Sequence, residues 1–77
     1  MRQIDLTNAL IDTLREIART SPTKRKFTPK FLAQLIPGAC HTSIGHVESE
    51  VRRVLLAEGI AIKYVRLNNS RYFEFTD

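Results

Sequence analysis

Tryptophan is absent, cysteine occurs once, and no apolar run comes near the length of a membrane span. Each scarcity excludes something. Cys40 alone cannot form an internal disulfide, so a reducing compartment suits the chain and the cytoplasm is the expected location. A spanning helix needs ~20 consecutive apolar residues, so no membrane partner is expected. The opening MRQIDLTNAL lacks a long apolar core and carries Asp5, which argues against a signal peptide. Chemistry is equally thin. No carboxylate pair, nucleophile triad or glycine-rich phosphate loop can be assembled, so neither an enzyme nor a cofactor is expected. Cys40, His41 and His46 lie close together, but a structural zinc site wants four ligands and there is no second cysteine. A Cys–His nucleophile would also lack a third group to orient it.

Acidic residues are scarce over two long stretches. Residues 17–47 contain none, yet hold Arg19, Lys24, Arg25, Lys26 and Lys30. Residues 59–73 contain none, yet hold Lys63, Arg66 and Arg71. The formal net charge of +4 and pI near 9.7 suggest a polyanionic partner only weakly. The separation of the signs suggests it more strongly. With 77 residues and 43% hydrophobic content, the chain is read as a single domain over residues 1–77. A chain this short buries only about 60 to 65% of its unfolded surface, so its stability should be modest.

Leu6, Leu10, Leu14 and Ile17 recur at helical spacing and predict a helix over residues 6–19, capped by Asp5 or Thr7 and ended by Ser21-Pro22. SPTKRKF is a polar, positive loop running into a short extended piece at Lys26-Phe27. Thr28-Pro29, a capping side chain followed by proline at the first helical position, opens a second helix over residues 29–36. Pro37-Gly38 stops it. A third helix, capped by Thr42 or Ser43, runs to Glu58, with Gly59 just past its end. Its stripe of Ile44, Val47, Val51, Val54 and Leu55 opposes a polar side of Thr42, His46, Ser49 and Arg53, with Gly45 and Arg52 beside them. Leu56, near the polar arc, either marks a homodimer contact or packs on the hairpin.

Residues 60–67 and 71–75 alternate around Asn68-Asn69. A two-residue turn there pairs Leu67 with Ser70, Arg66 with Arg71, Val65 with Tyr72, Tyr64 with Phe73, Lys63 with Glu74 and Ile62 with Phe75. Asn at both central positions suits a type I′ turn. One face collects Ile62, Tyr64, Phe73 and Phe75, so core packing outweighs base stacking for those rings, and Tyr72 is the candidate exposed aromatic. Arg66 facing Arg71 is unfavourable unless an anion sits between them.

FTPKFLAQLI as a strand leading into a helix, TSIGHVESEVRRVLLAEGI as a long helix closing at glycine, and YVRLNNSRYFEF as a terminal hairpin together resemble the winged helix-turn-helix superfamily. VRRVLLAEGI is especially similar to the end of that family's third helix. The resemblance covers nearly the whole chain and implies an α+β fold: three helices, a short first strand and a two-stranded wing. Two departures stand out: IPGACHTS is longer than a compact helix-turn-helix turn, and Glu48 and Glu50 lie on the third helix.

The resemblance further implies duplex DNA as partner, with the third helix in the major groove and the wing at the backbone or minor groove. A helix so placed presents its N-terminal half, here Thr42, Ser43, Gly45, His46 and Ser49, to base edges. Arg52 and Arg53 are the candidates for base or phosphate contacts, or else bridge to Glu48 and Glu50. Lys24, Arg25, Lys26 and Lys30 would form a phosphate-contacting shoulder, or only a solvated loop. Arg66, Asn68, Asn69 and Arg71 form the wing tip. The implied role is control of transcription or genome maintenance; a compact genome such as that of a virus or plasmid is expected only because the domain stands alone. A module docking on a polymerase subunit or nuclease complex is the alternative, favoured by Glu48 and Glu50; RNA or single-strand binding is a third reading.

Overall fold

The computed structural model describes residues 1–20 and 26–76. The apolar stripe of the first segment winds into α1 (Gln3–Thr20), burying Leu6, Leu10, Ile11 and Leu14. It starts earlier than the sequence suggests, so Asp5 and Thr7 lie inside the helix and cap nothing. Asp5 instead accepts from Arg2 Nε at 3.3 Å, and the Thr7 hydroxyl donates to the Gln3 carbonyl at 2.9 Å. After β1 (Lys26–Phe27), Thr28 caps α2 (Pro29–Leu35) by accepting from the Phe31 N–H at 3.2 Å. Ile36 ends that helix as a buried C-cap, one residue sooner than the apolar pattern implied.

The turn that follows is closed by the Ala39 N–H donating to the Ile36 carbonyl at 3.1 Å. α3 (His41–Ala57) then begins ahead of both expected caps: Cys40 is its N-cap, and it supplies no side-chain hydrogen bond to the helix amides. Cysteine is not a capping residue by propensity, whereas Thr42 and Ser43 are. The main-chain turn after Pro37-Gly38 decides the start instead.

Gly59 ends α3 as expected. Its φ of +85° is a conformation that side chains with a Cβ rarely take. It allows the Gly59 N–H to reach the Leu56 carbonyl and the Ile60 N–H to reach the Leu55 carbonyl, both at 2.9 Å. That is the Schellman arrangement, with Ile60 packed against the core that holds Leu55.

β2 (Ile62–Leu67) and β3 (Ser70–Phe75) form the hairpin in the register expected throughout, and Lys63 sits 3.4 Å from Glu74. The turn differs in one respect. Among the described non-glycine residues only Asn68 has positive φ, so this is not the type I′ form, which needs it at both positions. β1 pairs antiparallel with β3, giving the sheet order β1-β3-β2. The core lies between this sheet and the helices, centred on Leu10, Leu14, Phe27, Leu32, Ile44, Leu55 and Phe73. The architecture is α+β and winged-helix-like. Among the described residues, no helix is long and apolar enough to cross a membrane.

Candidate nucleic-acid interface

β1 pairs with β3 only at Phe73 and Glu74, because Thr28 turns the chain away into α2. Beyond that fork, β3 runs on with its outer edge uncovered by β1. The space so opened is a groove of about 760 Å³. Its walls are the start of α2 (Thr28, Pro29, Lys30), the N-terminal half of α3 (His41, Thr42, Gly45, His46) and the hairpin (Tyr64, Asn69, Ser70, Arg71, Tyr72). Gly45 keeps the wall open: a Cβ there would lie 3.7 Å from the Tyr64 hydroxyl, and anything longer would fill the gap.

The groove contains no carboxylate, and the rest of the molecule explains why that matters. Every acidic side chain among the described residues is matched to a cation. Asp5 meets Arg2, Asp12 and Glu58 meet Arg15, Glu16 meets Arg19, Glu50 meets Arg53, and Glu74 meets Lys63. Glu48 meets both Arg52 and Arg66. Exposed pairs of this kind add little stability, but they cancel each other's field. The described lysines and arginines without a carboxylate partner are Lys26, Lys30 and Arg71. Lys30 and Arg71 line the groove, and the Lys26 ammonium sits 5.3 Å from the ring centre of Tyr72, which also lines it. Glu48 balances only one of its two arginines, and Arg66 lies beside the groove-lining Tyr64, so most of the uncancelled positive charge collects around the groove. α3 adds to it, since its first turn opens on the groove and carries no acidic residue.

Of the residues singled out from sequence, the structure brings Lys30, Thr42, His46, Asn69 and Arg71 to the groove, with Lys26 at its rim. Ser49 is exposed on α3 and Asn68 at the hairpin turn, both outside the groove lining; Ser43 is half-buried. Arg52 Nε donates to Glu48, and Arg53 donates twice to Glu50, lowering the Glu50 carboxyl below its ordinary range. Arg66 lies 3.7 Å from Glu48 and 5.5 Å from the centre of the Tyr64 ring. Lys24 and Arg25 lie outside the described residues.

Sequence reasoning missed Thr28, Pro29, His41, Ser70 and the groove-lining role of Tyr64. Tyr64 is half-buried and packs on Phe73 with ring centres 4.8 Å apart, as its apolar face demanded, yet its hydroxyl end reaches the groove. Burial raises its pKa, while Arg71 and Arg66 pull the other way. The signal that could have found it is Gly45, one small residue on an otherwise substituted helix face. Leu56 does not join the core and is 64% exposed.

Cys40 is exposed, and its sulfur lies 3.0 Å from the Thr42 hydroxyl, whose hydrogen bond lowers the thiol pKa. Among the described residues, no cluster of three or more His, Cys, Asp or Glu could hold a metal ion. Compared with protein-family models, curated proteins and solved structures, the chain matches none of them.

Proposed function

We propose that this protein binds duplex DNA, without catalysis, as a regulator of transcription or genome maintenance. The observation that supports this reading is the charge census. All described carboxylates are matched, and the cations left over surround one acid-free groove between α3 and the hairpin. In this arrangement α3 lies in the major groove by its N-terminal half, where Thr42, His46 and Ser49 are small or planar enough to approach base edges. Lys26, Lys30 and Arg71 take phosphates and fix the register; they carry affinity and no sequence information. The hairpin tip, with Asn68 and Asn69, follows the backbone.

The test is an anisotropy titration of the protein against a labelled random duplex over a range of salt concentrations. Phosphate contact through Lys26, Lys30 and Arg71 together with Lys24 and Arg25 gives a log–log slope of about −4 to −5. No binding at low salt, or affinity indifferent to salt, defeats the proposal.

A second reading is supported by a separate observation. The C-terminal half of α3 is electrically neutralised by Glu48 and Glu50, and large apolar side chains at Leu56 and Leu67 stand more than 60% exposed. A protein-docking module would use those features, and substituting Leu56 and Leu67 by Ser would then abolish its association while leaving any DNA affinity intact.

A further inference from the structure

Both tyrosines of the chain line the groove, and the chain has no tryptophan. They reach it from opposite faces of the hairpin. Tyr64 pairs across the ladder with Phe73, and Tyr72 with Val65, so successive positions put them on different sides of the sheet. Two residues on opposite faces can border one space only if that space wraps around a strand edge. The edge is that of β3 beyond the fork, where β1 no longer covers it. Ladder pairs alternate, and the pair closing the two-residue turn, Leu67 with Ser70, is the hydrogen-bonded kind. The next pair, Arg66 with Arg71, therefore turns its main-chain groups outward. The Arg71 N–H and C=O face away from β2, toward the groove.

The space is thus concave, and two aromatic rings, an unclaimed strand edge, Lys30 and Arg71 border it with no acid among them. A duplex meets a protein along its length with ridges of phosphate and shallow base edges, and there its base faces are stacked on one another and not open to a tyrosine. An unpaired strand has both a backbone for the cations and free bases for the rings; cationic grooves with interleaved aromatics are how single strands are held.

We infer that the groove takes an unpaired DNA strand where it leaves a duplex, with a base against Tyr72, backed by the Lys26 ammonium, and its phosphates on Lys30 and Arg71. This rests on the DNA reading above and narrows its substrate to a junction or an extended end. α3 engages the paired part, and the cleft beside it engages the strand that departs. Tyr64, tied to Phe73 and facing Gly45, shapes the cleft with its hydroxyl and is a positioning residue.

The experiment compares a blunt labelled duplex with the same duplex carrying a six-nucleotide single-stranded extension, by anisotropy at one salt concentration. The extended probe is expected to bind about tenfold more tightly. Tyr72→Ala is expected to weaken the extended probe roughly 5- to 10-fold, most of the extension's advantage and within the range of one stacked base, and to weaken the blunt duplex clearly less. Tyr72→Phe should behave as wild type. Should Tyr72→Ala fold poorly, the unmodified protein still decides the matter. Its intrinsic emission comes only from Tyr64 and Tyr72, so the extension should quench it and the blunt duplex should not. Equal affinity for the two probes, with no selective quenching, overturns this inference and leaves duplex binding standing. Failure of both probes to bind overturns both.

Discussion

Glu48 is the one charged side chain among the described residues that is nearly buried, at 8% exposed. It accepts from Arg52 on its own helix and lies 3.7 Å from Arg66 on the hairpin, so it joins α3 to the hairpin. It also eases the conflict in the ladder. Arg66 and Arg71 do face each other, and Glu48, 3.7 Å from Arg66, offsets part of their repulsion. A phosphate would serve the same purpose, so in this reading Glu48 competes with nucleic acid for Arg66. Glu48→Gln keeps the shape and removes the charge. Loss of a part-buried charged hydrogen bond should cost about 1–2 kcal/mol of stability. The same change should tighten DNA binding about threefold or more and steepen its salt slope by about one unit. Opposite signs in melting and binding are the diagnostic result; a side chain that only held the fold together would weaken both.

Among the elements, the hairpin was the most legible in the sequence, because strict alternation and a two-residue turn leave only one register that gathers Ile62, Tyr64, Phe73 and Phe75. The start of α2 was legible for a similar reason: Thr28-Pro29 is a cap followed by a residue that suits only a first turn. The pairing of β1 with β3 had no such signal, since two residues show no periodicity. Nor did the Glu48–Arg66 contact, which joins elements far apart in the chain, whereas Glu48 with Arg52 obeys helical spacing. The groove was illegible for the same reason: it exists because β1 peels away at Thr28, a tertiary event. Long-range ion pairs share this property, and the one between α1 and the end of α3 has a measurable consequence. Arg15 donates to both oxygens of Glu58 at 2.8 and 2.6 Å, and this lowers the Glu58 carboxyl pKa. A carboxyl with a folded pKa below its unfolded one contributes stability that is complete above the unfolded value. That contribution is lost as pH falls through the folded value. Glu58→Gln should therefore lower the melting temperature at neutral pH and reduce its fall between about pH 5 and 3, as followed by circular dichroism. Parallel acid limbs for the variant and the wild type would mean the pair is idle.

At the scale of the whole molecule, what distinguishes this chain is how its charge is disposed, more than its net value of +4. Paired arginines at Arg15, Arg19 and Arg53 cover the helices without generating a field, while Lys26, Lys30 and Arg71 generate one beside α3. Two variants with the same formal charge separate these classes. Lys30→Ala with Arg71→Ala removes two unmatched cations from the groove; Arg19→Ala with Arg53→Ala removes two matched ones elsewhere. If binding responded only to net charge, the two would weaken it equally. If the groove is the binding surface, the first pair should lower the magnitude of the salt slope by about two units and cost roughly 10- to 100-fold in affinity at moderate salt. The second should change the slope by much less than one unit. The affected side chains are exposed in both variants, so both should melt within a few degrees of the wild type. Equal slopes for the two variants would place the nucleic acid somewhere other than the fork between α2, α3 and β3.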